Sequence, residues 1–211
     1  ILAMLLAAIL LAAPVCAAQT GYTDVPENAW YEEAIRTVTE RGWMDGTGSG
    51  KFSPNATLTR AMLATVLWRM ENCPAAAATG NFTDTVRGSW YDGGVSWCVA
   101  EGIFQGFPDG SFRPNDAITR EQLALVFYRY ADAKPTETAA KVSVKNGCSW
   151  ALDACAWANA EGLFTDALGT LDLCAPASRA EIAYWLARFD VGTSASSLTE
   201  GSFEGLGYLL Y

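Results

Sequence analysis

Residues 22–70 read YTDVPENAWYEEAIRTVTERGWMDGTGSGKFSPNATLTRAMLATVLWRM, and residues 82–130 read FTDTVRGSWYDGGVSWCVAEGIFQGFPDGSFRPNDAITREQLALVFYRY. Laid over one another at a shift of 60, the two agree at sixteen of forty-nine positions without a gap. Asp24, Trp30, Tyr31, Gly42, Gly46, Gly50, Phe52, Pro54, Asn55, Thr59 and Arg60 meet Asp84, Trp90, Tyr91, Gly102, Gly106, Gly110, Phe112, Pro114, Asn115, Thr119 and Arg120. Self-similarity at a fixed period marks a repeat architecture, in which each unit buries its apolar face against a neighbour. A third, eroded copy continues the series. Trp150 and Gly162 keep the shift of 60, and Arg179 follows after a one-residue deletion. The Asp, the second Gly and the Phe-x-Pro-Asn run have no clean counterparts there. The units are bounded at 20–72, 80–133 and 141–190, joined by Ala-, Thr-, Pro- and Lys-containing linkers.

Within each unit the local signals repeat. Asn28 and Ser89 read as N-caps, and Gly42, Gly102 and Gly162 read as helix ends. Between those marks the spacing predicts a helix of about twelve residues, with Trp30, Ala34, Ile35 and Val38 on one face. A Gly-rich loop and an extended Phe-x-Pro-Asn stretch follow. A second helix then starts at Thr59, Thr119 or Ser178. Its stripe of Met62, Leu63, Val66, Leu67 and Met70 recurs as Leu123, Val126, Phe127 and Tyr130. The fold expected is mainly α: three helix–loop–helix units packed around a shared helical centre.

Composition narrows the chemistry. The 211 residues carry a net charge of −9, with fourteen basic residues scattered singly. Nucleic acid is therefore not an expected partner, since its binding needs a basic patch or stripe. The absence of His removes Ser-His and Cys-His catalysis and histidine metal sites. No Asp/Glu pair stands out for a carboxylate glycosidase, which needs two facing carboxylates in one cleft. A catalytic role, a metal and a cofactor are not expected. Asp109-Gly110 within Phe107–Phe112 reads as a turn rather than a calcium loop.

Residues 1–18 form an apolar run ending in small residues, Pro14-Val-Cys-Ala-Ala18, which reads as a signal peptide. Export without stable membrane insertion after its removal is the expectation, and 191–211 reads as a C-terminal tail. Removal leaves Cys73, Cys98, Cys148, Cys155 and Cys174, an odd set without a Cys-x-x-Cys pair. Buried thiols, rather than a disulfide framework, fit that pattern.

The Arg at the start of each second helix has no local reason to be there. Ser178-Arg-Ala-Glu181 and Thr119-Arg-Glu-Gln122 fit the capping box, but Arg60, Arg120 and Arg179 place a cation at the end of the helix whose dipole opposes it. The residues suggest either a carboxylate or phosphate ligand, which guanidinium and helix N-terminus would bind together, or a salt bridge to a neighbouring unit. Trp30, Trp90 and Trp150, at the starts of the first helices, are either core anchors or the walls of a sugar-binding groove.

With these residues in place, the sequence resembles S-layer homology domains. The motifs that carry the likeness are Tyr22-Thr-Asp-Val25, Trp30-Tyr-Glu-Glu-Ala-Ile35, Gly102-Ile-Phe-Gln-Gly106, Asp109-Gly-Ser-Phe-Arg-Pro114 and Ser178-Arg-Ala-Glu181. The resemblance covers about residues 20–190. It implies a pseudo-threefold trimer of repeats within one chain, in the cell wall or surface layer of a bacterium. It also implies a non-catalytic role, anchoring to anionic, pyruvylated secondary cell wall polysaccharide in grooves between repeats. Carried over by position, Arg60, Arg120 and Arg179 are the carboxylate ligands, Trp30 and Trp90 the groove walls and Gly46 and Gly106 the close-approach points. Thr59 and Thr119 complete the site at the helix starts. A scaffold role through contacts with other surface-layer proteins is the alternative. Two departures make the copies unequal: Thr-Arg-Ala-Met and Thr-Arg-Glu-Gln replace the full motif in units one and two, and Asp166 replaces the Gly in unit three. Binding is therefore expected in grooves that rely on units one and two, and the groove that relies on unit three is expected to be weak or structural.

Overall fold

The computed structural model describes residues 20–76, 82–133, 149–165 and 171–197. The proposed signal peptide, Cys148 and Asp166 lie outside them. Six α-helices and no strands occur among the described residues: α1 (Glu32–Glu40), α2 (Arg60–Met70), α3 (Asp92–Ala100), α4 (Arg120–Tyr130), α5 (Leu152–Ala160) and α6 (Arg179–Ser197). The mainly helical class read from the sequence holds. The first helices start at 32, 92 and 152, and the second at 60, 120 and 179, with the predicted period and deletion. α6 continues past the expected boundary at 190 to Ser197. None of these helices is long and apolar enough to cross a membrane.

The first helices are shorter than predicted because Asn28 and Ser89 do not cap them. Asn28 sits in the left-handed region at φ 64°, which breaks the helix there. The capping runs backwards instead. The Glu32 carboxylate accepts the Asn28 N–H at 2.6 Å, and Asp92 accepts the Gly88 N–H at 2.7 Å. Trp30 and Trp90 consequently lie in the turn before the helix rather than on its buried face. The helix ends follow the sequence, with Gly42, Gly102 and Gly162 at φ 65–71° just past each last turn, where only a residue without Cβ is unstrained.

Second helices begin as the motif requires. Thr59 and Thr119 are N-caps accepting from the amides of Met62 and Gln122. Thr119 with Gln122, and Ser178 with Glu181, close reciprocal capping boxes. The close helix pairs run between successive units and not within them: α2 packs on α3, α4 on α5, and α6 returns to α1. Second helices meet through side chains, as where Phe127 on α4 stands edge-on to Trp185 and Phe189 of α6 at 5.4 and 5.7 Å. Leu63, Leu67, Leu123, Phe127, Ile182 and Trp185 belong to one buried cluster that also takes in all three first helices. Cys98 and Cys155 are buried in it as small hydrophobes, whereas Cys73 and Cys174 are exposed. Cys155 fills the position held by Ile35 and Val95, and burial pushes its thiol up to about 12.

Each unit's loop is tied by one carboxylate. Asp24 accepts the amides of Phe52 and Ser53 at 2.8 and 2.9 Å, and Asp84 does the same for Phe112 and Arg113 at 2.8 Å each. This explains why the Asp of the first motif and the Phe-x-Pro run recur together. In unit two, Asp109 closes a further turn by accepting from Ser111 and pairing with Arg113 at 3.0 Å. The hydrogen bonds from Ser111, and then Arg113, hold its carboxyl down at about 2, against an ordinary 3.8. A folded pKa below the unfolded one contributes stability that is present above pH 3.8 and disappears as pH falls to about 2. In urea unfolding, Asp109→Asn is therefore expected to be less stable than the native chain at neutral pH. The gap should close between pH 4 and 2 (roughly); a gap that stays constant across that window would refute the role given to this turn.

Candidate functional site

The start of each second helix is closed by the next unit. On α2, the amides of Arg60 and Ala61 donate to the carbonyls of Asp116 and Pro114 at 2.9 and 3.1 Å. On α4, Arg120 and Glu121 donate to Ala175 and Leu173 at 3.1 and 3.0 Å. On α6, Arg179 and Ala180 donate to Ala56 and Pro54 of the first unit at 2.7 and 2.9 Å. These are the orphan donors of a helix N-terminus, and the adjoining loop satisfies them. The third amide of each helix goes to the N-cap hydroxyl. The helix polarity that suggested an anion thus has its partners within the chain.

The Arg side chains reach the same loops. Arg60, 5% exposed, donates Nε to Phe112 O at 2.9 Å and Nη2 to Gln105 O at 3.0 Å. Its guanidinium also lies 4.8–5.2 Å from the ring centres of Phe104, Phe107 and Phe112. Arg179 repeats the pattern on unit one, donating to Phe52 O at 2.8 Å and Asp45 O at 2.6 Å and covering the Phe52 ring at 4.5 Å. Burial lowers both guanidinium pKa values, Arg60 to about 10, so each remains a cation at neutral pH. Neither forms an ion pair with a carboxylate among the described residues. Arg120 differs: it donates Nε and Nη2 to the two carboxylate oxygens of Glu181 at 2.6 and 3.2 Å, and Nη1 to Asp172 O at 3.1 Å. Of the two alternatives weighed from sequence, the salt bridge to a neighbouring unit is present at Arg120, while Arg60 and Arg179 make carbonyl contacts that neither alternative named.

The tryptophans face out. Trp30, Trp90 and Trp150 are 51, 60 and 51% exposed, although Trp is otherwise drawn into the core, as Trp185 is here at 2%. Trp30 is held edge-on by Tyr31 at 5.1 Å and Tyr184 at 5.7 Å, and Trp90 by Tyr91 at 5.2 Å. A cleft of about 720 Å³ opens beside Trp30, lined by Asn55, Arg120, Phe164, Thr165, Ser178, Glu181 and Tyr184 as well. It draws residues from all three units. Three aromatic rings, neutral hydroxyl and amide groups and one ion pair make a surface suited to a polyol ring, which needs an apolar face to stack on and donors and acceptors around its rim.

Of the residues singled out from sequence, Trp30, Arg120 and the start of α6 come together in this cleft. Trp90, Arg60 and Thr59 do not line it, and Thr59 and Thr119 act as caps. Gly46 and Gly106 are glycines for an internal reason. A Cβ on Gly46 would lie 2.6 Å from the Tyr22 ring and 2.7 Å from Lys51 O, and one on Gly106 2.3 Å from the Phe82 ring. Tyr184, Asn55 and Phe164 were not singled out. Asn55 was readable as part of the repeated run, and Phe164 repeats Phe104 of unit two although Met44 stands at the place in unit one; Tyr184 has no repeat signature, since Thr65 and Leu125 stand at the matching places.

The S-layer homology domain model matches residues 21–62 and 81–124 of this chain. The match covers the first two units and not the third. Similar proteins include endo-1,4-beta-xylanase A of Thermoanaerobacterium saccharolyticum, 34% identical over 112 residues that make up 52% of this chain and 10% of that protein. The S-layer protein of Bacillus thuringiensis subsp. finitimus is 34% identical over 53% of this chain and 14% of its own length. The cellulosome-anchoring protein of Acetivibrio thermocellus is 32% identical over 50% of this chain and 25% of its own. The chain thus spans no more than a quarter of these relatives.

Proposed function

We propose that this chain, two of whose units match the S-layer homology domain, is a non-catalytic module that anchors to the bacterial cell wall by holding its secondary polysaccharide. The observation that carries the reading is the outward-facing Trp at one position of every unit, set in the Trp30 case in a cleft of aromatic and neutral polar groups. S-layer homology domains anchor proteins to the cell wall, and relatives named for a surface layer and for cellulosome anchoring share this segment. The xylanase name belongs to a protein of which the shared segment is a tenth, so it lends no weight to catalysis here. We take 141–190 as an eroded third unit, the apolar start as a signal for export, and the ligand as sugars carrying pyruvate ketals. In this reading the buried Arg60 clasp shapes its groove from behind, and the Nη1 edge of Arg179, which engages no acceptor among the described residues, receives the ketal carboxylate.

Retention of the purified chain on isolated wall sacculi, before and after the secondary polysaccharide is stripped, tests this. Stripping is expected to abolish retention. Trp30→Ala with Trp90→Ala is expected to lower binding about tenfold or more without loss of fold, because exposed anchoring aromatics carry a large share of binding energy. Equal retention on stripped and intact walls would overturn the proposal.

A further inference from the structure

The three joints between units are built alike but are not held alike. At each, the first two amides of a second helix donate to carbonyls of the adjoining unit, and the helix pairs α2–α3, α4–α5 and α6–α1 follow in turn. The interface is heterologous, with a second helix and its Arg on one side and a first helix and its loop on the other. Units one and two, and units two and three, are joined by the chain as well. Units three and one are joined by contacts alone.

The backbone where the units meet is open at the same place. Ile118 donates its N–H to Leu58 O at 3.0 Å, and Ala177 donates to Ile118 O at 2.9 Å. Among the described residues no bond from the Leu58 N–H to Ala177 O completes the triangle. Unit three also brings the smallest side chain to this ring, Ala177 where units one and two place the buried Leu58 and Ile118. Units one and two are rooted in each other more deeply. Arg60 is buried against three Phe rings of unit two, and Gly94 brings α3 so near α2 that a Cβ on it would lie 2.8 Å from the Thr65 Cα.

We infer that the joint from unit three to unit one is also a contact between chains: unit three of one copy closes the ring of a second copy, and two chains exchange third units. A second copy is the partner that fits, since unit three carries the matching set. Its Arg179 amide and guanidinium serve Ala56, Phe52 and Asp45, and its Tyr184 meets Trp30. Every joint of the single chain is remade in the pair, so the exchange gives up no contact. Only the covalent connection between units two and three now runs from one ring to the other. The Trp30 cleft is then shared: Trp30, Asn55 and Arg120 come from one chain, and Phe164, Glu181 and Tyr184 from the other. The inference goes beyond wall binding and holds for any ligand of the cleft. Two exchanged chains are one molecule with two anchoring rings. Closure within one chain wins until the chain concentration nears the effective concentration of a flexible tether, roughly millimolar. Exchange therefore belongs to crowded chains.

The full chain, unfolded in urea, is refolded at about 1 µM or about 1 mM, then diluted and sized by light scattering. Monomer is expected from the dilute refolding. From the concentrated one the dimer share is expected to be at least about tenfold larger and to survive dilution, because separation requires both joints of unit three to open. Thr57 and Ser178 pair as an antiparallel bridge across the closing joint. Thr57→Cys with Ser178→Cys, in a chain whose cysteines outside the core are changed to serine, reads which chain supplies unit three. After mild oxidation the monomer is expected to cross-link within the chain and the dimer between chains, which a non-reducing gel separates. Monomer from both refoldings, a dimer that falls apart on dilution, or a dimer that cross-links only within each chain would each overturn the inference and leave wall binding untouched.

Discussion

Replacing Arg60 with alanine is expected to lower the free energy of unfolding by about 3–5 kcal/mol, the worth of two charge-assisted hydrogen bonds together with the carbonyls left without a donor. The guanidinium is almost fully buried, ties α2 to the carbonyls of Phe112 and Gln105, and fills the space between three Phe rings. Arg60→Lys is expected to recover only part of the loss, because an ammonium cannot present two donors in the plane that the two carbonyls require. Urea unfolding measures both. A cost below about 1 kcal/mol for the alanine variant would place Arg60 among ordinary surface cations and remove the clasp from the account. The result also governs how binding data are read: an Arg60 variant that loses the wall has lost a join between units, whereas truncating Trp30 gives up between units only its edge contact with Tyr184.

Phe127→Ala is expected to cost a similar amount, about 3–5 kcal/mol, for a different reason. Its ring is fully buried and stands edge-on to Trp185, Phe189 and Tyr130, so truncation opens a cavity where α4 meets α6. Since one cluster runs through all three units, the variant is expected to unfold in a single transition at lower urea, detected alike by Trp fluorescence and far-ultraviolet circular dichroism. Two separated transitions, one near the native midpoint, would contradict a core shared across the units.

Much of this was legible in the sequence, for reasons that differ by residue. The period and the positions of Thr59, Thr119, Arg60, Arg120 and Gly42 were readable because a repeat must meet the same backbone demands each time: a cap, an N1 side chain, a left-handed exit. Asn28 misled because its side chain suits a cap, while Glu32, four residues on, supplies the acceptor instead. The purpose of the Arg was not legible at all. Its acceptors are carbonyls of the following unit, 45 and 52 residues away for Arg60, and backbone oxygens leave no mark in sequence. The Trp30 cleft was half visible. Trp30, Asn55 and Ser178 belong to repeated motifs, but their meeting with Tyr184 and Phe164 depends on α6 returning to α1, which joins the two ends of the described chain. The asymmetry foreseen at Asp166 falls outside the described residues; the one that the structure displays lies at Glu181, Gln122 and Met62.

The central claim is that a wall sugar lies against an outward-facing Trp between units. A crystal structure of the chain with a pyruvylated disaccharide tests it most directly. The account predicts a sugar ring stacked on the indole of Trp30 or Trp90, beside the start of the second helix that the adjoining unit clasps. Sugar bound elsewhere, with all three tryptophans bare, would contradict it.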